Sequence, residues 1–188
     1  MASVLAVCVV HELRPDRGNI GVTAIDKRAV AGPVKVRKLG LFADAQLDRK
    51  HHGGEHKALY AYSQEDAEWW ERELGRELPP GWFGENLRVS GIDVNAAKVG
   101  ERWTIGGIEV EVTMPRTPCA TFARWVGGAD ARGWVRRFAE AGRLGPYLRV
   151  VRTGAVEAGD SLEVVSVPAG APSILEVFRS GGRGLPLE

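Results

Sequence analysis

Cysteine is scarce in this chain: only Cys8 and Cys119 occur in 188 residues. Two thiols make no disulfide framework, which excludes the small scaffolds that several bridges hold together. An excess of one charge is also missing, since 25 Lys and Arg stand against 24 Asp and Glu for a net charge of +1. That balance excludes nucleic-acid binding by bulk electrostatics, and no acidic or basic tail is present. No uncharged apolar run reaches the roughly 18 residues of a membrane-crossing helix. The start, "MASVLAVCVVHELRPD", has a short apolar run without a basic leader and reads as a first strand, not a signal peptide. Reduced thiols in a cytoplasmic protein are the expectation, with neither membrane nor nucleic acid as partner. Also absent are a Walker A loop, a G-x-G-x-x-G turn after a strand, a G-x-S-x-G elbow and a second pair of metal-binding cysteines.

What is present is strand signal. The apolar share of 44% is enough for a real core. "SVLAVCVVH" (3–11) is short and Val-rich, "GPVKVRKLGL" (32–41) alternates Val34 and Val36 with Lys35 and Arg37, and "ALYAYS" (58–63) reads as a further strand. "RWTIGGIEVEVTM" (102–114) predicts a hairpin, with Gly106-Gly107 supplying positive φ at the turn. "PYLRVVRTGAVEAGDSLEVVSV" (146–167) predicts two or three more strands.

Helices are fewer. Ser63 with Asp66 resembles a capping box, Ala67, Trp70 and Leu74 share a face, and Gly75 stops that helix. A second helix is predicted from Asp130 to Ala141, with Trp134, Val135 and Phe138 facing the core and Gly142 ending it. Many short strands with a few inserted helices predict a mainly β (α+β) fold, a closed barrel or sandwich, in one domain over 1–168. Residues 169–188 read as a short, partly flexible segment with a Gly-rich tail.

The candidate chemistry begins at "MPRTPCATF" (114–122). Pro115 and Pro118 stiffen the chain around Cys119, so the thiol is positioned at low entropic cost. Arg116 favours the thiolate, the form that attacks and that binds soft metals. The plain alternative is a buried, inert cysteine at the rim of the fold, which is the reading for Cys8 inside "AVCVV". In "DRKHHGGEHKALYAY" (48–62), His52 and His56 have helical ligand spacing, but Gly53-Gly54 disfavours a helix. A loop whose amides hold an anion fits better, with a simple polar turn as the alternative. "FGENL" (83–87) and "GRLGPYLRV" (142–150) are unspecific alone, although Tyr147 and Arg149 would share one strand face.

In order, "HHGGEHKALYAY", "FGENL", "VEVTMPRTPCATF" and "GRLGPYLRVVRTGAVEAGD" resemble MOSC domains (molybdenum cofactor sulfurase C-terminal domain), in particular the stand-alone bacterial YiiM-like branch. "TAIDKRAVAGPVKVRKLGLFADAQLDRKHHGG" extends the match upstream, so the resemblance covers roughly residues 3–167. It implies a β-barrel with inserted helices, the molybdenum cofactor, and reduction of N-hydroxylated small molecules such as hydroxylamino purines. A separate reductase protein would supply electrons. By the same resemblance Cys119 would ligate molybdenum, and Thr23 and Lys27 would hold the cofactor's phosphate or pterin. His52, Gly53, Gly54, Lys57, Gly84, Glu85 and Asn86 would belong to its binding segments, and Arg116, Tyr147 and Arg149 would line the pocket. The chain departs from the family pattern twice: His56 replaces a usual Asp, and Ala43 replaces a usual Gly, where a positive φ would be strained. A sulfur carrier holding a persulfide on Cys119 is the alternative reading, and a degenerate anion-binding barrel is a third.

Overall fold

Alternating apolar residues and glycine turns build most of the architecture. The structure is a computed structural model that describes residues 1–18, 21–45, 53–127 and 132–181. β1 (Ser3–Pro15) and β2 (Val22–Val30) form an antiparallel hairpin. β3 (Val34–Arg37) and β4 (Gly40–Leu41) divide the strand expected over 32–41. A 3-10 turn (Glu55–Lys57) leads into β5 (Leu59–Ser63), α1 (Gln64–Leu74) and β6 (Leu87–Ser90). β7 (Arg102–Ile105) and β8 (Ile108–Pro115) are the predicted hairpin, although only Gly106 of the turn pair has positive φ, at 50°. α2 (Ala120–Gly127), α3 (Trp134–Ala141), β9 (Pro146–Arg152), β10 (Gly154–Val156), β11 (Leu162–Ser166) and α4 (Ile174–Arg179) follow.

The strands form an eight-stranded mixed sheet in the order β11-β7-β8-β9-β5-β6-β1-β2 and a three-stranded sheet β10-β3-β4. Among the described strands only β5 and β6 pair in parallel, joined through α1. The fold is therefore mainly β with four short helices, but the closed barrel expected from the sequence is not formed by the described residues. β2 occupies the edge of β1 from Val7 onward, so only the first residues of β1 are left to meet the chain ahead of β11. There a single bridge links Ser3 to Ser161, and the Val4 N–H donates to the Asp160 carbonyl at 2.9 Å.

The helices obey their caps only in part. The Ser63 hydroxyl accepts the Asp66 N–H at 3.1 Å, and Gly75 ends α1 in the left-handed region. The Asp66 carboxylate makes no reciprocal contact there; it accepts from Asn95 Nδ2 at 2.7 Å and from Arg143 at 2.5 Å. In α3 Trp134 and Phe138 are buried, but Val135 is 42% exposed and does not face the core. The predicted start at Asp130 lies outside the described residues. α2 was not foreseen, and its first residue directly follows Cys119. α4 has a complete capping box between Ser173 and Glu176 and buries Ile174 and Val177.

Two cores result. Aliphatic residues, among them Val7, Leu59, Val110 and Leu148, fill the space enclosed by the strands. A second, aromatic cluster of Tyr60, Tyr62, Trp70, Phe83, Phe122, Trp134 and Phe138 sits between the sheet and the helices α1, α2 and α3. Cys119 and Tyr147 pack at its margin.

Candidate functional site

β8 ends at Pro115, and the chain crosses to α2 over four residues. Arg116 is tied at its backbone, where its N–H donates to the Gly145 carbonyl at 3.0 Å. That approach requires glycine at 145: φ is +70°, and a Cβ would sit 2.3 Å from the Ala61 carbonyl oxygen. Cys119 caps α2. Its carbonyl accepts the Ala123 N–H at 3.0 Å, and its Sγ accepts the Phe122 N–H at 3.4 Å. A sulfur thus takes the place of the usual cap oxygen, at the end of the helix where the backbone dipole favours negative charge.

The Arg116 side chain supplies the second feature. Its Nη2 lies 3.8 Å from Cys119 Sγ, and its Nη1 donates to the Thr117 carbonyl at 2.8 Å. The guanidinium carbon lies 4.6 Å from the Phe122 ring centroid, 5.8 Å from Phe138 and 5.9 Å from Tyr60. Arg116 is only 6% exposed, and among the described residues no carboxylate pairs with it. Burial opposes its charge, yet Cys119, Tyr147 and Tyr60 raise its pKa above the ordinary value. Burial also raises the Tyr60 and Tyr147 hydroxyls, with Arg116 acting in the opposite sense. Both shifts favour the neutral phenols, and among the described residues no carboxylate compensates the buried cation.

The other expected residues divide into two groups. The Tyr147 ring packs tilted against Tyr60 with centroids 5.5 Å apart, and the Lys57 ammonium lies 5.8 Å over the Tyr147 ring, so both join Cys119 and Arg116. Gly54, at φ 91° and ψ 174°, opens the 3-10 turn carrying Lys57, and a Cβ there would meet nothing within 4 Å. Gly53 precedes it; His52 lies outside the described residues. Arg149 follows on the same face of β9, where it donates to Glu111 at 2.8 Å and keeps a buried Nε without an acceptor. Thr23, Ile25 and Lys27 lie along β2, whose register with β1 slips between Thr23 and Asp26, and Ile25 packs into the aromatic cluster.

Three further expectations meet competing partners. Lys27 is paired with Asp44 at 2.6 Å, so its charge is already neutralised inside the protein. Asn86 gives its amide to Asp44 at 2.7 Å and to the Cys8 carbonyl at 3.3 Å, and its oxygen accepts the Tyr60 N–H at 3.2 Å. Glu85 is fully buried against Arg88 and accepts from the Gly81 and Phe83 N–H groups. Gly84 takes φ +79° with Ile25 packed against it. Glu85 and Asn86 thus make these hydrogen bonds inside the protein, where the segment buttresses Tyr60 and β6. The two departures are visible too. Ala43 does adopt a positive φ, 72°, and so delivers Asp44 to Lys27. His56 accepts the Thr113 hydroxyl on its carbonyl at 2.6 Å and has a buried Nδ1 without a partner.

Sequence reasoning missed Tyr60, Phe122, Phe138 and Asp44 as site residues. Tyr60 was within reach, because the alternation in "LYAY" puts both tyrosines on one face. Cys8, by contrast, is an inert core thiol whose pKa burial raises to about 12. Among the described residues no three His, Cys, Asp or Glu side chains are grouped to hold a bare metal ion. A metal at Cys119 would have to bring most of its ligands with it. A soft sulfur donor, a buried cation with no carboxylate partner among the described residues and a glycine turn suit such a preassembled, phosphate-bearing cofactor.

The family model for the MOSC domain matches residues 48–163. YflK of Bacillus subtilis (strain 168), an uncharacterised protein, is 33% identical over 144 residues, which cover 77% of this chain and 64% of YflK. The chain thus spans less than two thirds of that relative. The crystal structure of YiiM from Geobacillus stearothermophilus superposes with a TM-score of 0.76 at 29% identity, covering 95% of this chain and 83% of that one. A protein named reductase from Gibberella moniliformis is 28% identical over 173 residues, 88% of this chain and 30% of the fungal protein.

Proposed function

The chain belongs to the MOSC domain family, with stand-alone proteins of the YiiM kind, and from that membership we propose that it binds molybdenum cofactor and reduces N-hydroxylated compounds. The observation that carries the proposal is Arg116, a buried cation without a carboxylate partner among the described residues, 3.8 Å from the Cys119 sulfur. A buried charge left unpaired is costly unless a ligand completes it. The reductase name of the fungal relative supports the class of reaction.

The cofactor would supply two-electron chemistry. The chain's residues do the rest. Cys119 offers a soft ligand whose direction is set by the Phe122 N–H and by Arg116. Arg116 and Lys57 would hold negative charge, with Gly54 opening the turn that carries Lys57. Tyr60, Phe122 and Phe138 wall the cation from water and so strengthen its attraction for an anion. In the overall reaction an N–OH group takes two electrons and two protons, the N–O bond breaks, and an amine and water leave. The electrons come from a separate reductase protein, and the substrate is a small molecule.

The test is molybdenum content per chain in protein from a cofactor-producing host, beside Cys119→Ser. Near-stoichiometric metal and turnover of a hydroxylamino purine with an artificial electron donor are expected, with turnover falling to background in the variant. Undiminished turnover in Cys119→Ser would overturn the assignment. No metal in either protein, with a persulfide mass on Cys119, would assign a sulfur carrier instead.

A further inference from the structure

Asp16 lies far from Cys119 in sequence, at the tip of the β1–β2 hairpin, yet its carboxylate grips the helix that Cys119 caps. Arg124 Nε donates to Asp16 Oδ1 at 2.6 Å, and its Nη2 donates to Oδ2 at 2.7 Å. The Thr121 hydroxyl, two residues after Cys119, donates to Oδ2 at 3.0 Å, and the Gly18 N–H adds a contact at 3.2 Å. The Asp16 side chain is only 9% exposed. A second arm runs alongside: Arg14, held by Asp26 at 2.7 Å, lies 5.5 Å from the Trp125 ring centroid.

α2 has only eight residues, too few to hold its own position without tertiary contacts. Phe122 anchors one side in the aromatic cluster, and Trp125 Nε1 donates to the Trp82 carbonyl at 2.8 Å. On the hairpin side, Thr121 and Arg124 end on one carboxylate. The Phe122 N–H that meets Cys119 Sγ belongs to the same first turn as Thr121. Rotation of that turn would carry the sulfur away from Arg116.

We propose that Asp16, through Thr121 and Arg124, is a positioning residue that holds Cys119 Sγ against Arg116. The proposal rests on Cys119 being the reacting thiol of the site, but it concerns where the sulfur sits, not what it binds. A misplacement of about 1 Å in a catalytic group can cost a hundredfold in rate.

The experiment is the rate of iodoacetamide modification of Cys119 in cofactor-free protein well below its melting temperature, read by mass spectrometry with buried Cys8 as internal control. Asp16→Asn is expected to slow modification of Cys119 at least fivefold, because the sulfur leaves its two donors. Asp16→Glu, which keeps a carboxylate, is expected to return the rate to within twofold of the parent. A lowered melting temperature with an unchanged rate in Asp16→Asn would make the clasp merely structural and overturn the proposal. Should Asp16→Asn not fold, Thr121→Val removes one donor and keeps the ion pair; slower modification supports the proposal, and an unchanged rate overturns it. The readout needs no molybdenum, so failure of the cofactor assignment and failure of the clasp are separate results.

Discussion

Arg88 and Arg116 are both buried, and the contrast between them separates architecture from chemistry. Arg88 is wholly enclosed, and every arm of its guanidinium is answered: Nε meets Glu85 at 2.8 Å, Nη1 meets Gln64 at 3.0 Å, and Nη2 meets Glu85 at 2.5 Å and the Pro79 carbonyl at 3.3 Å. Glu85 in turn collects the Gly81 and Phe83 N–H groups. Arg116 has a carbonyl, a sulfur and three ring faces, but among the described residues no carboxylate answers it. A complete set of partners marks a charge that serves the fold. An incomplete one, under the function proposed above, suits a charge that a ligand would complete.

The contrast can be broken by substitution. Arg88→Ala has the largest expected effect on stability, a loss of about 3–5 kcal/mol in urea unfolding, because Glu85 would be left buried and unpaired. A loss under about 1 kcal/mol would refute the architectural role. The Asp16–Arg124 pair is an intermediate case. Arg124 holds the Asp16 carboxyl down at about 2. A lowered carboxyl pKa contributes stability above the unfolded value near ~3.9, and that contribution disappears as pH falls through the folded value. The parent is therefore expected to exceed Asp16→Asn by about 1–2 kcal/mol at neutral pH, with the gap closing between about pH 4 and 2. A gap independent of pH would exclude the pair as its source.

A smaller gain is expected at Ala43, whose φ of 72° is strained for a residue with a Cβ. Ala43→Gly should raise stability by about 1 kcal/mol while keeping Asp44 on Lys27, and thermal melting would show it. Arg116→Met completes the comparison with the smallest effect on stability, within about 1 kcal/mol of the parent, since no buried partner is stranded. Its molybdenum retention should nevertheless fall severalfold. A stability loss as large as that of Arg88→Ala would erase the distinction between the two arginines.

Much of this was legible in the sequence where the signal is local. The β7–β8 hairpin follows from alternation around Gly106-Gly107, and both ends of α1 follow from Ser63 and Gly75. Cys119 stood out because cysteine is rare and the prolines around it are close. α2 stayed hidden because its cap is a sulfur, which no cap preference anticipates. The diversion of Lys27 was invisible because Asp44 reaches it only through the turn at Ala43. The aromatic wall around Arg116 draws on β5, α2 and α3, so no single stretch announces it. Closure of the sheet was expected because strand count alone does not reveal which edges are already occupied.

The seam between the start of β1 and the chain ahead of β11 also has a consequence for biosynthesis. The Leu162 N–H donates to the Ala2 carbonyl, and the Gly159 N–H to the Val4 carbonyl. The start of β1 thus meets partners that lie more than 150 residues further along the chain. Pairings this distant are slow to form, and an unpaired strand end is exposed to aggregation while it waits. While the chain is being made, β6 can cover one edge of the start of β1, but the other edge waits for residues 159–162, which places the need for chaperone protection at that edge.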